Sequence, residues 1–241
     1  MRGGEAGGPL SALLRLVRRK AGGAVAEVRY ARRRTLGGQD WSEPIRTMTF
    51  TVLDCEMTGL DPARDEILSI GAVRIQGGRV TMGERFYQVF KPLEAVSSKE
   101  VILIHGLGPD EVSRGVPLAD ALDRLLAFLG DSVVIGHFVA HDLRFLNAAL
   151  AARGQRPLAN PALDTRLLYG WWRRRAAAGE GGFEAAPLEA LALELGLPRY
   201  PAHHAFYDAL TTGLAFLKLL SAFEASGAVQ FRALYREAGV Y

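Results

Sequence analysis

Residues 51–75 read TVLDCEMTGLDPARDEILSIGAVRI. Two apolar runs rich in β-branched residues flank a short turn with Thr58, Gly59 and Pro62. The pattern predicts strands over residues 49–54 and 66–75. The first run closes on Asp54 and Glu56. Side chains alternate along a strand, so these acids share one face and Cys55 points to the other, where it reads as a core residue. Two carboxylates side by side repel each other, and a hard divalent cation neutralises such a pair through oxygen ligands. A polar strand end facing solvent has the same pattern, so the pair alone does not decide between them. The glycine just after the acids lets backbone N–H groups approach a ligand closely.

Working outward, residues 76–79 (QGGR) predict a two-glycine turn into a third strand over 80–90, giving an antiparallel hairpin. Helical periodicity covers 117–129, a short buried strand fits 132–136, and a helix over 142–152 ends near Gly154. Residues 162–168 predict a strand followed by a helical turn, and 173–187 read as a compositionally loose surface loop. A helix over 188–195 is stopped by Gly196 and Pro198, and a long helix covers 205–223. A hairpin followed by alternating helices and strands predicts an α/β domain with a mixed sheet.

The stretch 51–75 resembles the first motif of the DnaQ-like 3′–5′ exonucleases, the epsilon-type proofreading family of the DEDDh class. That resemblance demands two further aspartates and a histidine downstream. Residues 133–146 (VVIGHFVAHDLRFL) resemble the second motif, a strand, a Gly-His turn and an aspartate opening a helix, which makes Asp142 the third carboxylate. Residues 202–210 (AHHAFYDAL) resemble the third motif, a histidine five residues before a helical aspartate, which makes Asp208 the fourth carboxylate and His203 the base. Ile104-His105-Gly106-Leu107 also resembles the stretch after the third strand in this family. The resemblance covers about residues 48–222 and implies a ribonuclease-H-like mixed five-stranded sheet flanked by helices. It implies a metal site of Asp54, Glu56, Asp142 and Asp208, with Met57, Thr58, Gly59 and His105 toward substrate. The implied partners are single-stranded DNA or RNA 3′ ends, with a DNA polymerase as a further candidate. DCEMTGLDP is also similar to the oligoribonuclease branch, which trims short RNA. A non-catalytic nucleic-acid-binding or polymerase-docking module is the reading from another class, and the complete carboxylate set argues against it.

The chemistry follows from residue type. Four carboxylates from three segments can hold two divalent ions about 3.5–4 Å apart. Carboxylate and water ligands suit Mg²⁺ or Mn²⁺ rather than zinc. An imidazole near the attacking water can take its proton. Five residues on a helix is about 140° beyond a full turn, so His203 does not share a helical face with Asp208. It must therefore precede the helix, in agreement with Pro201. His204 would share that face if the helix began earlier, a register resembling the sister family, which uses a tyrosine there. Tyr207 is out of that register, and Ala205 with the Asp208-Ala209 pair fits His203 better.

Other residues carry less. Asp164 reads as a helix cap beside Thr165, and Asp61, Asp65 and Glu66 as turn and surface charges. His105 fits a structural loop histidine as well as a substrate-facing one. Relatives mostly carry Asn where this chain has Phe138 and Phe where it has His141, so the resemblance carries over the metal set but not the usual contacts to a terminal nucleotide. Trp171 and Trp172, beside Arg173-Arg174-Arg175, read as core anchors of a helix, with base stacking as the alternative.

The chain has 241 residues, 49% hydrophobic and 23% charged. That supports one full core and excludes a disordered chain. A single cysteine excludes an internal disulfide and suits a reducing cytoplasm. The net charge of +3 is uneven: residues 1–47 hold ten Lys/Arg against four Asp/Glu. This segment, with dense glycine, a helical Leu10, Leu13, Leu14, Val17 spacing and an Arg32-Arg33-Arg34 run, reads as a basic extension to a 48–222 domain, with 223–241 as a C-terminal tail. A basic extension suggests a polyanionic partner. Apolar runs fall short of the ~18 residues a spanning helix needs, so no membrane insertion is expected, and the N-terminus reads poorly as a signal peptide.

Overall fold

The computed structural model describes residues 41–92, 107–176 and 186–240. After a short 3₁₀ turn at Ile45–Thr47 come strands β1 (Phe50–Met57), β2 (Ile67–Gln76) and β3 (Arg79–Val89). Helices α1 (Pro109–Ser113) and α2 (Leu118–Leu129) lead to β4 (Val133–Gly136) and α3 (Ala140–Ala152). Strand β5 (Ala162–Asp164) runs directly into α4 (Thr165–Ala176), followed by α5 (Leu188–Glu194), α6 (Ala205–Ala225), α7 (Phe231–Ala238) and β6 (Gly239–Val240). The predicted helix start at Asp142 and the predicted loop at 173 each shift, since α3 begins two residues earlier and α4 continues to Ala176.

The sheet order is β3-β2-β1-β4-β5-β6. The first three strands form an antiparallel meander. Its turn works because Gly77 and Gly78 take φ of 56° and 73°, the positive values that such hairpin turns require. Strand β4 pairs with β1 in parallel, as β5 does with β4. Strand β4 is buried along its whole length, as parallel strands between helix layers are. One strand more is present than the five expected. Strand β6 pairs antiparallel with β5, Ala162 facing Val240 and Leu163 facing Gly239. It is two residues long and is delivered by the preceding helix, so no run of alternating residues announces it.

The alternation on β1 separates two helix layers. Phe50 and Val52 face α6, whose Ala215, Phe216, Leu219 and Phe223 pack on them, together with Leu168 of α4 and Leu191 of α5. Leu53, Cys55 and Met57 face the other layer, against Leu122 and Leu125 of α2 and Leu143 and Leu146 of α3. Packing continues across both expected domain boundaries. Ile45 is fully buried, and α7 buries Phe231, Leu234, Tyr235 and Ala238 in the α6 layer. Trp41 packs edge-on against Phe231 and Tyr235. Residues 1–40 and 93–106, with the basic run and His105, lie outside the described residues. No helix among the described residues is long and apolar enough to cross a membrane.

Candidate active site

The parallel pairing of β1 with β4 brings the C-terminal ends of both strands together where the sheet order reverses. This is the usual place for a ligand in an open α/β sheet. Asp54 and Glu56 stand there on the face that looks toward α6. Gly71 lies opposite Asp54 on β2, and a Cβ at that position would collide with the Ala205 carbonyl and the Phe206 amide. Only a glycine lets the first turn of α6 rest on the sheet here. That turn carries Asp208. Ligand oxygens of Asp54, Glu56 and Asp208 lie within 4.8 Å of one another.

Asp142 comes from the opposite helix layer, in the first turn of α3, and is 5% exposed. Its Oδ1 accepts the Cys55 N–H at 2.9 Å, which anchors it to the strand between the two acids. It adds to the field on Asp54. Burial, then Asp142, Glu56, Asp208 and Glu189, hold the Asp54 proton well above the usual carboxylate range. Burial pushes Asp142 up to about 8, against the lowering pull of the Cys55 amide. Burial, Glu56 and Glu189 raise Asp208 to about 7, opposed by the His203 and His204 backbone amides. So much negative charge gathered without a cation is a costly arrangement. The donors are all carboxylate oxygens, which fits a hard divalent ion. The Ser69 hydroxyl fits it too: it sits directly opposite Glu56 on β2, buried, with no hydrogen-bond partner among the described residues.

His203 lies in the loop before α6, one residue ahead of the helix N-cap, with φ of 58°. This left-handed backbone is uncommon for a non-glycine residue and is often found where function dictates the conformation. Its Nε2 is 3.8 Å from Glu189 Oε1. His204 is half-buried. Its ring stacks on Tyr87 at 4.8 Å and packs on Tyr207 at 4.8 Å. Glu189, on α5, is an acid of this site that nothing in the sequence around residues 186–190 marks. Only the fold brings it to His203 and Asp208.

Met57 is buried at the end of β1. Thr58 organises the following turn: its Oγ1 accepts the Glu66 N–H at 2.9 Å and donates to Asp65 Oδ1 at 3.3 Å. Asp65 Oδ2 accepts the Asp61 N–H at 2.8 Å, so Asp65 shapes the turn. A Cβ on Gly59 would meet that carboxylate, and Leu60 beside it is exposed. Asp164 caps α4, its Oδ1 taking the Arg166 N–H at 2.9 Å and the Phe138 N–H at 3.2 Å, as a short acidic side chain does at a helix start. Phe138 has φ of 61°, and the Arg166 guanidinium lies over its ring. Trp171 packs on Phe223 and Trp172 on Tyr169, as core anchors do.

A three-layer α/β fold with acids from β1, α3 and α6 meeting at the sheet switch point is the architecture of the ribonuclease-H-like class. The exonuclease family model, RNase_T, matches residues 51–216. The chain belongs to this family, the DnaQ-like DEDDh exonucleases. It is 34% identical over 197 residues to a DNA polymerase III subunit epsilon-like protein of Rhodobacter capsulatus, covering 80% of this chain and 27% of that relative. It is 29% identical over 172 residues to the DNA polymerase III epsilon subunit of Aquifex aeolicus, covering 71% and 80% of the two chains. The chain thus spans about a quarter of the first relative and most of the second. Among solved structures, the nuclease domain of 3′hExo, a DEDDh family member bound to rAMP, superposes with a TM-score of 0.63 at 16% identity, covering 75% of this chain and 95% of that one. E. coli Exonuclease I with a dA16 oligonucleotide gives 0.60 at 23%, covering 73% and 41%.

Proposed function

We propose that this protein is a metal-dependent 3′–5′ exonuclease that releases nucleoside monophosphates from the 3′ end of single-stranded DNA. The observation that carries the reading is the meeting of Asp54, Glu56 and Asp208 within 4.8 Å, with Asp142 beside them. In this reading these four residues hold two divalent ions, Mg²⁺ or Mn²⁺. Bound there, the ions would lower the pKa of a water and stabilise the leaving oxygen of an in-line displacement at phosphorus. His203 accepts the proton of the attacking water. The new bond joins the water oxygen to phosphorus, and the bond to the neighbouring O3′ breaks. The loop position of His203 lets its ring turn toward the water without moving α6. Met57, Thr58 and Gly59 form the rim on which the terminal nucleotide rests, held in shape by Asp65; His105 is carried as a substrate-facing candidate on the family resemblance of residues 104–107 alone.

We further propose that the protein works in the cytoplasm, where the single Cys55 stays a thiol, and that a DNA polymerase is a candidate partner. The basic segment 1–47 supports contact with nucleic acid. The deciding assay uses 5′-labelled single-stranded DNA and RNA of one sequence, with Mg²⁺, Mn²⁺ or chelator. A ladder shortening from the 3′ end, faster on DNA and absent with chelator, is expected. A ladder on RNA alone would reassign the substrate, and none on either strand would overturn the reading.

A further inference from the structure

A groove of about 370 Å³ opens between α5 and α6 and closes on Asp208. Leu188, Leu193, Leu197, Pro198 and Tyr200 supply its apolar wall, and Glu189 and Asp208 join it to the acid cluster. Met57, Thr58 and Gly59 take no part in the lining, so the groove is separate from the rim after β1. Leu193 is 64% exposed and Tyr200 37% exposed. That is a good deal of apolar surface to leave in water at the edge of a site.

Tyr200 also ends a file of aromatic rings. Its ring lies parallel to Tyr207, 7° apart in plane and 5.7 Å between centroids. Tyr207 packs on His204, and His204 stacks on Tyr87 of β3. The file is anchored by the sheet at Tyr87 and by the first turn of α6 at Tyr207, and Tyr200 rests one ring face on Tyr207. A fixed aromatic face beside a cation is the usual platform for an unpaired base and its phosphate. Arg199, next in the lining, makes no ion pair among the described residues.

We propose that this groove is a subsite for an unpaired base of a single strand, stacked on Tyr200, with Arg199 at the adjoining phosphate. The assignment rests on the exonuclease reading in one respect: the base belongs to the part of the strand that remains after the cut, because the rim after β1 takes the terminal nucleotide. Stacking supplies affinity without choosing a sequence, since every base has a π face.

The test is binding without turnover. Fluorescence anisotropy of a 5′-labelled dT12, with chelator to keep the strand intact, is measured for the full chain and for Tyr200→Ala, Tyr200→Leu and Tyr200→Phe. Loss of one base stack is expected to weaken Tyr200→Ala and Tyr200→Leu about tenfold, while Tyr200→Phe stays within about twofold. Leucine keeps the apolar bulk, so its loss separates stacking from packing. A 12-mer abasic spacer strand is expected to bind all four proteins alike. Equal binding of dT12 by the full chain and Tyr200→Leu, or no binding of dT12 by the full chain, overturns the proposal. Adding Mg²⁺ to the same samples keeps the two readings apart. A protein that binds dT12 through Tyr200 but never shortens it overturns the exonuclease reading and leaves the groove standing. One that shortens dT12 with binding indifferent to Tyr200 overturns the groove alone.

Discussion

Gly71 stands directly opposite Asp54 in the β1–β2 ladder, and the backbone of Ala205 and Phe206 rests where its side chain would be. The contact sets how near Asp208 can come to Asp54. Gly71→Ala must push the first turn of α6 off the sheet. Overpacking of this kind costs about 1–3 kcal/mol, and a displacement of about 1 Å at a site can cost ~10²-fold in rate. Gly71→Ala is therefore expected to lower thermal stability modestly and 3′-end hydrolysis by about two orders of magnitude. Near-normal hydrolysis by the variant would show that α6 is not positioned by this contact.

The four carboxylates differ in what else they do. Asp142 accepts a hydrogen bond from Cys55, so Asp142→Asn keeps an acceptor there and removes only charge. Asp54→Asn, Glu56→Gln, Asp142→Asn and Asp208→Asn are each expected to reduce Mg²⁺-dependent hydrolysis by more than about 10³-fold, since one lost ligand disturbs charge and geometry for both ions. Asp164→Ala is expected to behave in the opposite way. It removes the cap of α4, at about 1–2 kcal/mol, and keeps most activity well below the melting temperature. Turnover by any of the four within tenfold of the parent would remove that residue from the site.

Without metal, the acid cluster works against the fold. Burial and mutual repulsion raise Asp54, Asp142 and Asp208. A carboxyl whose folded pKa exceeds its unfolded value binds its proton more tightly when folded, so stability is highest below the unfolded value and declines as pH rises through the folded one. For Asp208 and Asp142 that window runs from about 4 to about 7 and about 8. The melting temperature in chelator is expected to fall across this range, and Asp142→Asn is expected to flatten the fall. Mg²⁺ is expected to raise the melting temperature most at the alkaline end. A metal-free melting temperature that climbs with pH across the window would contradict this account.

The hairpin was legible in residues 66–90, and the long helix and the order of the acids in 51–75, 133–146 and 202–210, where local pattern and tertiary role agree. Alternation alone placed Asp54 and Glu56 on one face and Cys55 on the other. Helix α7 and strand β6 were not legible as part of the unit. Helix α7 is short, and two residues of β6 carry no period, so both depend on the surface that α4, α6 and β5 present. Glu189 was hidden for a related reason. An exposed acid on a seven-residue helix looks like any solvated charge until the fold lays α5 beside His203. The ring packing of His204 was hidden in the same way, because its partner Tyr87 lies on β3, far from it in sequence.

The two adjacent histidines are separable by experiment because they sit in different environments. His203 has a left-handed backbone, φ 58°, and a half-exposed ring near Glu189. His204 has extended backbone and a ring held between Tyr87 and Tyr207. Removing the His203 ring is expected to cost turnover, about 10²–10⁴-fold for a general base. Glycine tolerates positive φ better than alanine, so His203→Gly is expected to be at least as stable as His203→Ala while losing the same turnover. Added imidazole is expected to restore part of the rate to His203→Gly, whose missing ring leaves room for it. His204→Ala is expected to show the reverse pattern. Losing two ring contacts lowers the melting temperature, at about 0.5–1.5 kcal/mol per pair, and turnover changes by less than about fivefold. The measurements are single-turnover rates at saturating Mg²⁺ and thermal melts of all three variants. If His204→Ala is as stable as the parent but inactive, and His203→Gly keeps its rate, the base is His204 and the loop functions one residue out of this register.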